Sequence, residues 1–100
     1  MLTPSELDGL QIIADRVCER HDLPTVTLAW KKRYTGTRGL YYYPKGIAIE
    51  QRIEELSRAR STLIHELAHH LAYHKLAYLG HAANFRTCVS VVERTIKEVA

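Results

Sequence analysis

Cysteine is scarce in this 100-residue chain: Cys18 and Cys88 are the whole supply. They form no Cys-x-x-Cys pair, which argues against a thiolate metal site. Both fall in apolar-periodic segments and read as small core residues, reduced rather than bridged because no secretion signal accompanies them. That signal is missing because Met1-Leu2-Thr3-Pro4-Ser5-Glu6 has neither a basic region nor an apolar run. No uninterrupted apolar run reaches the ~18 residues of a membrane span. These absences lead us to expect a cytoplasmic chain with no membrane partner. Repeats, low-complexity tracts, long linkers and composition breaks are also absent, so residues 1–100 are expected to form one domain.

What is present supports a small core. Hydrophobic residues make up 46% of the chain, and a chain of this size buries somewhat over ~60% of its unfolded surface. The formal charge is +3 and the pI about 9.0. Lys31-Lys32-Arg33 with Arg38, and Arg52 with Arg58 and Arg60, carry most of the basic excess. Scattered charge of this kind is ordinary solvated surface, and we expect at most weak, non-specific nucleic-acid contact.

Periodicity gives the order of elements. Thr3-Pro4-Ser5-Glu6 is a helix start, with an N-cap hydroxyl, a first-turn proline and glutamate three residues on. Leu7, Leu10, Ile13, Ala14 and Val17 continue that helix to about His21, whose ring is placed to complement the helix dipole. Val26, Leu28 and Trp30 alternate with polar residues as in a strand. Residues 35–39 form a turn, residues 40–43 a second strand, Pro44-Lys45-Gly46 a tight turn, and Ile47-Ala48-Ile49 a third strand. Their spacing favours an antiparallel meander. The tyrosines read as sheet packing. A helix then starts between residues 57 and 62 and runs to about Leu79, with Gly80 as its cap. Phe85, Val89, Val92, Ile96 and Val99 mark a final amphipathic helix. The expected class is α+β: helix, three-stranded antiparallel sheet, motif helix, C-terminal helix.

The chemistry is concentrated in His65-Glu66-Leu67-Ala68-His69. On a helix the two histidines stack one turn apart on the same face, and Glu66 is turned about 100° away. Two imidazoles beside a carboxylate base are what one helix contributes to a hydrolytic zinc site. An ordinary buried helix has no reason to carry these groups among Leu63, Ile64, Leu67, Ala68, Leu71 and Ala72, because each polar group needs a partner.

A catalytic zinc takes three protein ligands and keeps one position open. His70 and His74 project roughly 140° and 180° from His65 and read as flank or surface residues. The position ten residues after His65 is Lys75, which excludes the metzincin spacing. His81 follows the Gly80 cap, where the chain can reverse, and its projection falls on the same stripe as Phe85 and Val92. It is favoured over Glu93, which lies twelve residues further on and at the edge of that stripe.

Taken together, these residues resemble a minimal, gluzincin-like zincin metallopeptidase. His65-Glu66-Leu67-Ala68-His69-His70-Leu71 followed by Gly80-His81-Ala82-Ala83-Asn84-Phe85 is similar to the SprT-like and related small metallohydrolase families. The resemblance implies zinc held by His65, His69 and His81, Glu66 as general base, and Phe85 as packing residue. Gly39-Leu40-Tyr41, Ile47-Ala48-Ile49 and the approach Arg60-Ser61-Thr62-Leu63-Ile64 also resemble ImmA/IrrE-type peptidases, whose third ligand is usually a downstream glutamate; this keeps Glu93 as a rival. Residues 1–100 depart from the first pattern in carrying Ala82-Ala83 after the third histidine, and we expect no accessory zinc-ribbon tail.

The resemblance and the motif together give a zinc-dependent peptide hydrolase acting on a peptide or protein substrate. Tyr73, Tyr78 and His70 are available as oxyanion donors, and the edge strand at residues 40–43 can hold an extended peptide. The competing expectation is a non-catalytic zincin-like module that keeps the zinc and binds a protein or nucleic-acid partner. A fourth protein ligand would favour that module.

Overall fold

Thr3 begins the first helix as its sequence dictates. Its hydroxyl accepts from the Glu6 amide at 3.1 Å, and the Glu6 carboxylate accepts from the Thr3 amide at 2.9 Å, closing a capping box. In the computed structural model, which describes residues 1–32 and 38–99, this helix is α1 (Pro4–Arg20), with Leu10, Ala14, Val17 and Cys18 on its buried face. His21 is the C-cap, but it is not a cationic partner of the dipole. The Thr95 hydroxyl donates to the Val91 carbonyl, so His21 Nε2 donates to Thr95 Oγ1 at 2.7 Å. Burial, then the charges of Arg20 and Lys75, lower the His21 pKa and favour the neutral ring. Its role is a hydrogen bond between the first and last helices.

Three strands follow: β1 (Thr27–Lys31), β2 (Gly39–Tyr42) and β3 (Gly46–Glu50), in the spatial order β1-β3-β2. The antiparallel meander is therefore corrected to a mixed sheet. β2 and β3 form the expected antiparallel pair, with Tyr42 opposite Gly46, but β1 runs parallel to β3, with Thr27 opposite Gly46. The physical reason lies in β3, where Ile47, Ala48 and Ile49 are all buried. A strand apolar on both faces belongs at the centre of a sheet, which leaves β1 and β2 as its edges. Of the turn expected at residues 35–39, residues 35–37 lie outside the described part.

The two edges are treated differently. The side chain of Gln11 in α1 lies along β1, donating to the Val26 carbonyl at 3.0 Å and accepting from the Leu28 amide at 3.2 Å. It stands in for a neighbouring strand. β2 instead borders the cleft described below.

The motif helix, α2 (Leu56–Leu76), packs against α1, β2, β3 and α3 (Ala83–Val99). It ends earlier than Gly80. Ala77 adopts the left-handed conformation (φ 52°) and donates to the Tyr73 carbonyl at 3.0 Å, so an alanine makes the cap usually left to glycine. Gly80 has another function: a Cβ there would lie 2.6 Å from the Tyr78 hydroxyl. Tyr78 in turn accepts from the Ala82 amide at 3.0 Å, folding the connection tightly onto itself. Cys18 and Cys88 are buried free thiols, as expected of core residues. Among the described residues no helix is long and apolar enough to cross a membrane.

Candidate metal centre

Successive turns of α2 bring His65 and His69 together, with ring centroids 5.0 Å apart. His81 comes from the connection to α3, two residues before that helix begins, and not from the helix itself as projected. The short reversal after Ala77 delivers it to the same place. His69 Nε2 and His81 Nε2 are 3.0 Å apart, one donating and the other accepting. One ligand atom from each of His65, His69 and His81 lies within 4.8 Å of the other two. Three such nitrogens can hold a metal ion.

Phe85, in the first turn of α3, packs beneath all three rings. Its centroid lies 4.8 Å from that of His65, 4.3 Å from His69 and 5.0 Å from His81. This apolar floor restricts ring orientation and removes water from one side. Burial, followed by the neighbouring His65 and His81, pushes the His69 pKa down to about 4. Burial and His81 also lower that of His65. Both shifts favour the neutral, metal-ligating form of the His65 and His69 rings.

Glu66 is only 5% exposed and lines the same cleft as the three histidines. Its position depends on a residue whose importance the sequence did not reveal. A Cβ on Gly39 would lie 2.7 Å from Thr62 Cγ2, 3.1 Å from Glu66 Oε2 and 3.2 Å from the Ala48 carbonyl oxygen. Glycine at the start of β2 therefore lets the strand backbone close directly over the carboxylate. The cleft between β2, α2 and the α2–α3 connection is about 400 Å³.

Several expected participants are elsewhere. His70 is fully buried, with Nε2 2.7 Å from the Pro24 carbonyl and Nδ1 2.7 Å from the Tyr41 hydroxyl. It is a core tie between α2 and the sheet, neither a surface residue nor an oxyanion donor. His74 is hydrogen-bonded to the Pro44 carbonyl. Tyr73 stacks with Tyr43 at 5.2 Å, and the Tyr78 hydroxyl accepts from the Ala82 amide, a contact that does not use its own O–H hydrogen. Glu93 is exposed and is not part of the histidine group. Among the described residues, no fourth histidine, cysteine or carboxylate joins that group.

Among the described residues, basic side chains are interleaved with acidic ones. Arg38, Arg52 and Arg58 share a concavity with Glu50, Glu54 and Glu55, and Arg52 pairs with Glu50. Lys31 lies over the Tyr42 ring at 5.9 Å, and Arg33 lies outside the described residues.

Comparison with family models matches residues 8–100 to the SprT-like family. Searches of curated proteins and of solved structures give no match.

Proposed function

The chain belongs to the SprT-like family, and on that premise we propose that it is a zinc-dependent metallopeptidase working in the cleft of His65, Glu66, His69 and His81. The observation that carries this reading is the convergence of three imidazoles beside a buried carboxylate, with no fourth protein ligand among the described residues. Zinc prefers such nitrogen donors at ~2.0–2.1 Å, which places tetrahedral ligand atoms roughly 3.3 Å apart. The His69–His81 spacing of 3.0 Å already approaches that value, and the 4.8 Å limit needs only small ring adjustments.

A zinc ion held there supplies a Lewis acid that polarises a carbonyl and acidifies water. The residues around it do the rest. Glu66 takes the proton from the attacking water and returns it to the leaving amine. The β2 backbone at Gly39 closes over the carboxylate from the sheet side. β2, the edge that borders the cleft, holds the substrate in extended form by strand addition. The buried free thiols suit a reducing, cytoplasmic setting.

The test is Glu66→Gln, which keeps the side chain's size but removes the base. Zinc content and melting temperature should stay near those of the wild type, while hydrolysis of an unfolded-protein substrate falls by at least ~100-fold. In parallel, His81→Ala should lose the metal and Glu93→Ala should keep it. Hydrolysis that survives Glu66→Gln unchanged would rule out the mechanism. Zinc binding by a wild type inactive on every broad peptide library would assign a non-catalytic module instead.

A further inference from the structure

The cleft has a composition that the proposed chemistry does not require. Three of its lining side chains, Leu40, Tyr43 and Leu79, are large, apolar and 41%, 61% and 47% exposed. Among the described residues no lysine, arginine or aspartate lines it; the ionisable side chains that do are Glu66, the three histidines and two tyrosines. Exposed apolar side chains scattered singly are unremarkable, but here they gather around one concavity beside the proposed reacting groups.

The wall that carries Leu40 and Tyr43 is also held in place. Tyr43 stacks on Tyr73 of α2 at 5.2 Å. The Tyr41 hydroxyl lies 2.7 Å from both the Pro44 carbonyl and His70 Nδ1. His74 bonds the same Pro44 carbonyl. The end of β2 and the turn after it are thus tied to α2 one to two turns beyond His65 and Glu66. Leu79 stands on the opposite side, in the connection braced by Tyr78 and Gly80. Apolar side chains kept exposed on braced backbone form a preorganised surface, with little ordering cost left for a ligand to meet.

We infer that Leu40, Tyr43 and Leu79 form a subsite for a large apolar side chain adjacent to the bond to be cut. The substrate is then an extended segment of unfolded or locally unfolded protein. This rests on the peptidase reading above and adds the substrate class to it. A cleft of about 400 Å³ lies at the small end of ligand pockets, with room for one or two side chains and not for a folded surface. Folded proteins bury their large apolar side chains, so such a subsite selects chains that have lost their packing.

The experiment measures binding separately from cleavage. Zinc-loaded Glu66→Gln protein is titrated by fluorescence anisotropy with labelled Gly/Ser peptides carrying one central guest: Phe, Leu, Ala, Asp or Lys. Phe and Leu guests should bind at least about tenfold more tightly than Asp, the scale set by apolar pockets. Leu79→Asp and, separately, Leu40→Asp should each reduce that preference; both positions are exposed, and circular dichroism checks the fold. Equal binding of all guests, no binding of any, or a preference intact in both variants overturns the subsite. Wild-type cleavage separates this failure from failure of the peptidase reading. Hydrolysis with no side-chain preference removes the subsite alone, whereas selective binding without hydrolysis removes the peptidase and keeps the subsite.

Discussion

At Gly39 the absence of a side chain lets β2 meet α2 over the Glu66 carboxylate. Adding one methyl group there presses on Thr62 Cγ2, a short β-branched side chain with little freedom to move, and on the Ala48 backbone oxygen. We expect Gly39→Ala to cost about 1–3 kcal/mol in stability, the usual penalty of overpacking. Activity should fall further than stability accounts for, because Glu66 Oε2 lies 3.1 Å from the added carbon. Replacing Thr62 by Ser removes the closest clashing atom, so the double variant should recover part of the stability. Chemical denaturation of the two single variants and the double variant measures that coupling; purely additive losses would refute this account of Gly39.

Among the elements, α2 explains both what was legible in the sequence and what was not. The His65–His69 pair could be read because helical spacing alone stacks them. His81 could be named as the third partner, but not its setting, because Ala77 rather than Gly80 takes the left-handed cap. His70 differs for another reason: projection alone makes a residue turned away from His65 a flank or surface residue, yet α2 is covered by the sheet as well as by α3. In the sheet, the unbroken apolar run Ile47-Ala48-Ile49 was the available sign of a central strand, and strand spacing alone misled. The α2–sheet tie is testable. Tyr41→Phe leaves buried His70 Nδ1 without its hydroxyl partner and should destabilise by about 1–3 kcal/mol. Amide exchange should accelerate selectively in the turn after β2, since the hydroxyl that ties this end of the strand to α2 is gone. Uniform acceleration throughout the chain would mean that the bond is not a local tether.

For the whole molecule, acid sensitivity should include a contribution from the helix–helix link at His21. Its folded pKa is lowered below the ordinary histidine value of about 6.5, so the unfolded chain takes up a proton first as pH falls. The stabilisation from the neutral ring is therefore complete above about pH 6.5 and is lost as pH drops towards the folded pKa. His21→Gln can still donate to Thr95 but does not titrate. In metal-free buffer, the melting temperature of the wild type should fall more between pH 7.5 and pH 5 (roughly one unit above and below the ordinary histidine pKa) than that of His21→Gln. Equal slopes would remove His21 from the acid response. The Gln11 bridge has a consequence on the same scale. A three-stranded sheet ordinarily offers two edges on which another chain can add, but here Gln11 already occupies the start of the β1 side. Growth of the sheet is thereby favoured on β2, the edge that also borders the cleft. Self-association through strand pairing and capture of an extended substrate then compete for one line of backbone, so each aggregating copy would also be an occluded one.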